Sequence, residues 1–293
     1  MTLSRPEVRR LLASEGIRPS RALGQNFVVD PNTARRVARL SGAGSGDQVV
    51  EVGAGLGSLT LALLETGANV TAVEIDDTLI RILSSVISSA SPSPSPSPVR
   101  IVRGDALRLD WDELLRSGEE EQVPDRDHPV PWIFAANLPY NIATPLVAKV
   151  LDEVPRVKRM TVMVQREVGE RLAAGPGDPA YGAPSVKVAY HATAAVLARV
   201  PPTVFMPRPN VESVVIGIDR RDAPAVDPQL VSAQRLFTVV KAGFGQRRKM
   251  LRRALAGIVD PEAFEATDIE PTSRAEELGV EAWGRLAAWR GER

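Results

Sequence analysis

The run QVVEVGAGLGSLTLALLET, residues 48–66, joins a short valine-rich strand to an apolar helix through a loop with glycines at 53, 55 and 57. Val49, Val50 and Val52 suit a pleated, buried segment. The residues after Ser58 repeat their apolar positions at a spacing near 3.6. Glycine lets the intervening backbone turn sharply and approach a ligand closely. The same strand-to-helix alternation continues downstream. Strands are read at NVTAVEI (69–75), VRIVR (99–103), WIFAAN (132–137) and RMTVMVQ (159–165). The stretches DTLIRILSSVI, ALRLDWDELLRS and ATPLVAKVLDEV between them carry helical periodicity. Such alternation predicts an α/β fold: a parallel sheet with helices on both faces. Sheets of this kind bind ligands beyond the carboxyl ends of their strands, so the loops after each strand are where chemistry is expected.

Two further β-like runs, AAVLARV (194–200) and SVVIGID (213–219), extend the sheet. Past Arg221 the strand signal stops and short amphipathic helices follow. At 293 residues the chain suits roughly two domains. The division expected is a catalytic domain with an N-terminal helical arm over 1–222 and a small helical domain over 223–293. The low-complexity segment SPSPSPSP (91–98) cannot continue a helix and reads as an extended surface insertion.

The scarce residues exclude whole classes of chemistry. There is no cysteine, which removes disulfides, thiol nucleophiles and cysteine-ligated metal clusters. Two histidines, His128 and His191, are too few for a three-histidine metal site and make a Ser-His-Asp triad improbable, so no metal is expected. Catalysis would rest on positioning, electrostatics or a cofactor. No apolar run approaches bilayer length. The charges spaced through MTLSRPEVRRLLASEG leave no signal-peptide core, so a soluble cytosolic protein without membrane contact is expected.

Net charge is zero, with 36 Lys and Arg against 36 Asp and Glu, but the charges are segregated. Residues 1–40 hold eight arginines and three acids, and KAGFGQRRKMLRR (241–253) holds six bases and no acid. Arg247, Arg248, Lys249, Arg252 and Arg253 are therefore candidates for contacts to a polyanion, the alternative being a solvated basic face.

A G-x-G loop alone is a weak signal. Ser58 stands where a dinucleotide fingerprint wants Gly or Ala, and Glu51 brings a carboxylate next to Gly53 and Gly55. That carboxylate would repel a pyrophosphate but not a ligand carrying ammonium and sulfonium groups, which favours S-adenosylmethionine over NAD. Glu74 lies 21 residues after Gly53, the distance at which an acid accepts from ribose hydroxyls. A helix cap is the alternative, which Asp76 or Asp77 would serve better. Asp105, at the end of the third strand, could accept from an adenine amine or cap the helix after it.

The fourth strand runs into Asn137-Leu138-Pro139-Tyr140. An adenine amine is a poor nucleophile because its lone pair is delocalised into the ring. Two acceptors gripping its N–H groups would withdraw that pair from conjugation. The Asn137 side-chain oxygen can be one and the Leu138 carbonyl the other, since Pro139 restricts Leu138 to an extended conformation. Tyr140 supplies a face on which a base can stack. Thr144 and Pro145 read as the cap and first residue of the next helix.

GQNFVVD (24–30), EVGAGLGSLT (51–60), NLPYNIATP (137–145), VQREVGERL (164–172), PPTVFMPRPNVESVV (201–215) and FGQRRKML (244–251) together resemble the ribosomal RNA adenine N6-dimethyltransferases, most of all their bacterial small-subunit branch. The resemblance covers about residues 20–255. It implies a Rossmann-like methyltransferase sheet with a small C-terminal helical RNA-binding domain. It also implies S-adenosylmethionine as donor, with Asn26 and Val28 lining its pocket, Gly53 at its methionine end, Glu74 on the ribose and Asp105 on the adenine. Asn137 would touch both donor and target amine. The implied reaction is direct displacement, placing two methyls on each of two adjacent adenosines in a loop near the 3′ end of small-subunit ribosomal RNA. It would act as a monomer within a pre-ribosomal particle. Leu23 and Val28 depart mildly from the family pattern, and the SPSPSPSP insertion departs outright. The related alternatives are a large-subunit adenine methyltransferase of the antibiotic-resistance type and an RNA-binding assembly factor whose methylation is secondary. A DNA adenine methyltransferase would carry a second proline where Leu138 stands.

Overall fold

Val49, Val50 and Val52 lie in the middle of a seven-stranded sheet, within a strand whose five residues are all buried. The computed structural model describes residues 2–19, 25–90, 98–120, 130–139 and 141–290. Tyr140, Leu23, Gly24, His128 and residues 91–97 of the SPSPSPSP segment lie outside the described residues. The strands are β1 (Phe27–Val28), β2 (Gln48–Val52), β3 (Asn69–Glu74), β4 (Val99–Arg103), β5 (Trp132–Asn137), β6 (Val157–Gln165), β7 (Ala192–Val200), β8 (Phe205–Met206) and β9 (Ser213–Arg220). The helices are α1 (Arg5–Ser14), α2 (Pro31–Ser41), α3 (Ser58–Leu64), α4 (Asp77–Ala90), α5 (Trp111–Glu120), α6 (Ala143–Glu153), α7 (Arg166–Ala173), α8 (Ala183–His191), α9 (Ala233–Gly245), α10 (Leu251–Ala254), α11 (Glu262–Ala266) and α12 (Val280–Ala288).

The main sheet has the order β4-β3-β2-β5-β6-β9-β7, and β1 pairs with β8 in a separate antiparallel ribbon. Pairing is parallel from β4 through β6 and antiparallel between β6 and β9. The chain steps from β2 towards β4 and later returns to build outward from β5. Right-handed crossovers then put α3 and α4 on one face and α5 and α6 on the other. Alternate strand residues follow this division. Val49, Val70, Ala72, Ala135 and Met163 pack with Val37, Leu63, Leu83 and Ile87 of α2, α3 and α4. On the opposite face the Phe134 ring meets Trp111 of α5 at a centroid distance of 6.2 Å. The reversal of strand order between β2 and β5 opens a crevice at their carboxyl ends, where an α/β sheet takes its ligand.

The chain divides into two compact units, Met1–Gly169 with Ala195–Asp219, and Glu170–Ala194 with Arg220–Arg293. The single boundary expected after residue 222 therefore does not describe the division. The segment 170–194 joins the second unit because Tyr181, Val186 and Tyr190 are buried in the same cluster as Leu236, Val240 and Trp283. In that unit the Tyr181 hydroxyl donates to the Leu278 carbonyl at 2.9 Å, and burial pushes its pKa up to about 12.

Candidate active site

The loops after β2, β3, β4 and β5 enclose a cavity of about 300 Å³. After β2, Gly53 and Gly55 take φ values of +72° and +59°, a region that side chains strain. The Gly53 and Ala54 amides donate to the Val73 carbonyl at 2.9 and 3.3 Å, which folds the loop back over the end of β3. A methyl group at Gly55 would sit 3.3 Å from the Phe27 ring, so the absence of a side chain there leaves room for that wall.

Glu74, buried at the end of β3, does more than face the cavity. One oxygen accepts from the Gly55 amide at 2.8 Å, and the other from the Ile75 and Asp76 amides at 2.8 and 3.1 Å. It therefore clamps the glycine loop, a job the spacing argument did not reveal. Helix capping falls to Asp76, which accepts from the Thr78 and Leu79 amides at the start of α4. Asp105 lines the cavity and also stabilises its own turn, accepting from the Leu107 amide at 3.0 Å and approaching Arg108 at 3.5 Å. No helix starts directly after Asp105, as a capping role would need: residues 106–108 form a turn, and α5 begins at Trp111, where Asp110 accepts from the Glu113 amide at 3.0 Å.

Glu51 is buried against the same cavity, and the Thr60 hydroxyl donates to it at 2.6 Å. Burial, reinforced by the nearby Glu74 charge and opposed by the Thr60 bond, raises its pKa to about 8. Glu51 is then mostly protonated at neutral pH in the free protein, where the sequence argument had assumed a carboxylate. Among the described residues lining the cavity, Glu51, Glu74, Asp76 and Asp105 are acidic and none is basic. An anionic phosphate would meet no compensating charge. A cationic ligand would find acceptors and would favour ionisation of Glu51. S-adenosylmethionine fits this donor set, with its sulfonium and ammonium groups.

Asn137 closes the site from β5. Its side-chain amide donates to the Asn26 carbonyl at 3.0 Å, leaving the side-chain oxygen to accept from elsewhere. Leu138 is buried, and its amide donates to the Met163 carbonyl at 3.0 Å, while Pro139 lines the cavity. Helix α6 begins at Ala143 after Ile142, so Thr144 and Pro145 lie inside its first turn and not at its boundary. The adjoining wall is the segment 25–29, of which residues 25–28 line the cavity. Its β1 portion pairs Phe27 with Met206 and Val28 with Phe205, while Asp30 caps α2 by accepting from the Thr33 amide at 2.9 Å.

Asn26, Val28, Glu51, Gly53, Gly55, Glu74, Asp105 and Asn137 are thus brought around one cavity. Phe27, Ile75 and Asn141 also line it but were not singled out in the sequence. For Phe27 a signal was available, an aromatic residue just ahead of the Asp30-Pro31 helix start. The basic residues belong to the second unit. Arg247 is engaged internally, pairing with Glu276 at 2.5 Å and donating to the Pro179 carbonyl at 2.8 Å. Arg248, Lys249, Arg252 and Arg253 are exposed and form no ion pair among the described residues.

The family model described as "Ribosomal RNA adenine dimethylase" matches residues 18–290. The chain is 44% identical to "Ribosomal RNA small subunit methyltransferase A" of Thermobifida fusca, the alignment covering 98% of this chain and 96% of that protein. The like-named proteins of Bifidobacterium adolescentis and Streptomyces avermitilis are 41% and 42% identical, each covering 97% of this chain, with 93% and 92% of the relatives covered. Among solved structures, a dimethyladenosine transferase from Plasmodium falciparum superposes with a TM-score of 0.70 at 20% identity, covering 89% of this chain and 95% of that one. The 23S rRNA methyltransferase ErmE gives 0.66 at 22% identity, covering 89% and 98%. These two likenesses concern the fold, a Rossmann-like methyltransferase sheet. By its sequence over nearly the whole length, this chain belongs to the ribosomal RNA adenine dimethylase family.

Proposed function

We propose that the protein transfers methyl groups from S-adenosylmethionine to the N6 amines of two adjacent adenosines in a loop near the 3′ end of small-subunit ribosomal RNA, during subunit maturation in the cytoplasm. The observation that carries this reading is the Asn137 amide. With its nitrogen committed to Asn26, its oxygen remains as an acceptor beside a cavity whose acids suit a cation. The small-subunit name shared by relatives at 41–44% identity favours that substrate over the large-subunit alternative. Among the described residues no helix is long and apolar enough to cross a membrane.

S-adenosylmethionine, when bound, supplies an electrophilic methyl group on a sulfonium. The chain's own residues hold and orient. Glu74 keeps the glycine loop in place and retains lone-pair capacity for a ribose, and Gly53 and Gly55 admit the methionine end. Asp105 faces the adenine. The Asn137 oxygen and the Leu138 carbonyl take the two N–H bonds of the target amine, and Tyr140 offers a stacking face. Such catalysis is orientation together with electrostatic complementarity. An adenine paired in a duplex has its amine engaged, so the target is single-stranded or flipped out. Arg248, Lys249, Arg252 and Arg253 would meet RNA phosphates, and the protein would act as a monomer on a pre-ribosomal particle.

Mass spectrometry of both ribosomal RNAs from cells lacking the gene tests the reading. Dimethyladenosine should disappear from the small-subunit RNA and return with the wild-type gene. Loss confined to the large-subunit RNA would overturn the assignment. Normal subunit assembly with an Asn137→Ala protein would point to binding as the principal task.

A further inference from the structure

Besides the pairing of β1 with β8, hydrogen bonds from different parts of the first unit hold the wall segment 25–29. The Asn26 carbonyl receives the Asn137 amide. Two residues on, the Val28 carbonyl receives the Ser58 hydroxyl at 2.8 Å, and the Val29 amide donates to the Val204 carbonyl at 2.8 Å. Ser58 is the first residue of α3 and is buried, with 7% of its surface exposed. Its hydroxyl is not needed to start the helix, because Gly57 occupies the cap position without a side-chain bond. The hydroxyl spans to the wall instead.

An asparagine amide is nearly symmetric in shape, and rotating it half a turn exchanges oxygen and nitrogen at little steric cost. Its neighbours decide which atom points where. A backbone carbonyl facing the amide admits the nitrogen and repels the oxygen. The Asn26 carbonyl therefore selects the orientation in which the Asn137 oxygen remains free. That selection depends on the carbonyl staying within hydrogen-bond reach, and so on how firmly the wall is held.

We propose that Ser58 is a positioning residue for Asn137: by holding the Val28 carbonyl it keeps the wall in register, so that the Asn26 carbonyl fixes the Asn137 amide with its oxygen available. The proposal rests on the reading of Asn137 as an acceptor for the target amine. It gives the hydroxyl at position 58 a task in the reaction, separate from any direct contact with the donor.

Two measurements test it, on the full chain. In steady-state methyl transfer, Ser58→Ala should lower kcat roughly tenfold while KM for the donor stays within about twofold and the melting temperature holds. Ser58→Thr, which keeps the hydroxyl, should restore turnover. In the free protein, the Asn137 side-chain amide resonances, identified by their loss in Asn137→Ala, should shift in Ser58→Ala and return in Ser58→Thr. Unmoved amide resonances in Ser58→Ala overturn the proposal, as does a parallel fall in kcat, donor affinity and melting temperature. A wild-type protein that methylates no RNA would remove the functional reading alone, since the resonances judge the tether independently.

Discussion

In the first unit, four carboxyl groups surround a concave cavity, and three of them accept bonds from backbone amides while the fourth is held by a threonine hydroxyl. In the second unit, Arg248, Lys249, Arg252 and Arg253 project from the turn after α9 and from the four-residue helix α10, exposed and without ion pairs among the described residues. Groups taken from water need fixed partners or must give up their charge. Exposed cations need neither, and remain available to a polyanion. The first arrangement suits a small cationic ligand held in one geometry. The second suits a long flexible anion met through many weak contacts.

The largest effect should come from the core of the second unit. Trp283 is fully buried, and its ring lies so close to Gly243 that a methyl group there would come within 2.5 Å. Trp283→Ala should destabilise that unit by about 3–5 kcal/mol in urea titration while leaving donor affinity unchanged under folding conditions. A parallel loss of donor affinity would break the separation drawn above. Next, Asn137→Ala should raise the barrier to methyl transfer by about 2–4 kcal/mol in a labelled-methyl assay, with donor binding weakened but retained. Wild-type turnover would remove Asn137 from the chemistry.

Glu51 sharpens the electrostatic half of the comparison. Its pKa of about 8 in the folded protein lies above its ordinary value of 4.5, so the folded state holds an extra proton between those values. Its contribution to stability is therefore fully present below about pH 4.5, lost progressively as pH rises through 8, and constant above. The donor's sulfonium charge favours the ionised form, so below about pH 8, where the donor's own α-amino group titrates, its apparent affinity should rise with pH. Calorimetry in buffers of different ionisation enthalpy should count the proton released, and Glu51→Gln should abolish that release. Donor binding without proton release at pH 7 would show that Glu51 does not sense the ligand charge. The smallest effect belongs to the second unit's surface. Arg248→Ala should reduce the salt dependence of log RNA affinity by about 0.7–0.9 and leave donor binding alone. An unchanged slope would move the RNA contacts elsewhere.

Much of this architecture was legible residue by residue. QVVEV, VRIVR and WIFAAN are strands over the spans expected, because β-branched and aromatic runs there are bounded by glycine, proline or acidic residues. Strand β6 begins two residues earlier than expected, at Val157, because its pairing with β5 is irregular where Trp132 meets Val157. The helix over 183–191 lies outside the strand-and-helix alternation that the sequence shows, and its Val186 and Tyr190 enter the core of the second unit. The site residues were readable as types at loop positions. Their bonds were not. The Asn137–Asn26 contact spans 111 residues, and no local pattern encodes it. Nor does spacing distinguish an acid that meets a ribose from one that also secures a loop, as Glu74 does.

The ribbon of β1 and β8 has a consequence for how the protein is made. Phe27 and Val28 are synthesised early, yet their partners Met206 and Phe205 emerge nearly 180 residues later. A nascent chain halted after β6 would already possess strands β2 to β6 and the glycine loop, but one wall of the cavity would still lack its mate. Contacts of such long sequence separation close slowly. Competence to receive the donor should therefore arrive late in translation, well after the central sheet has formed.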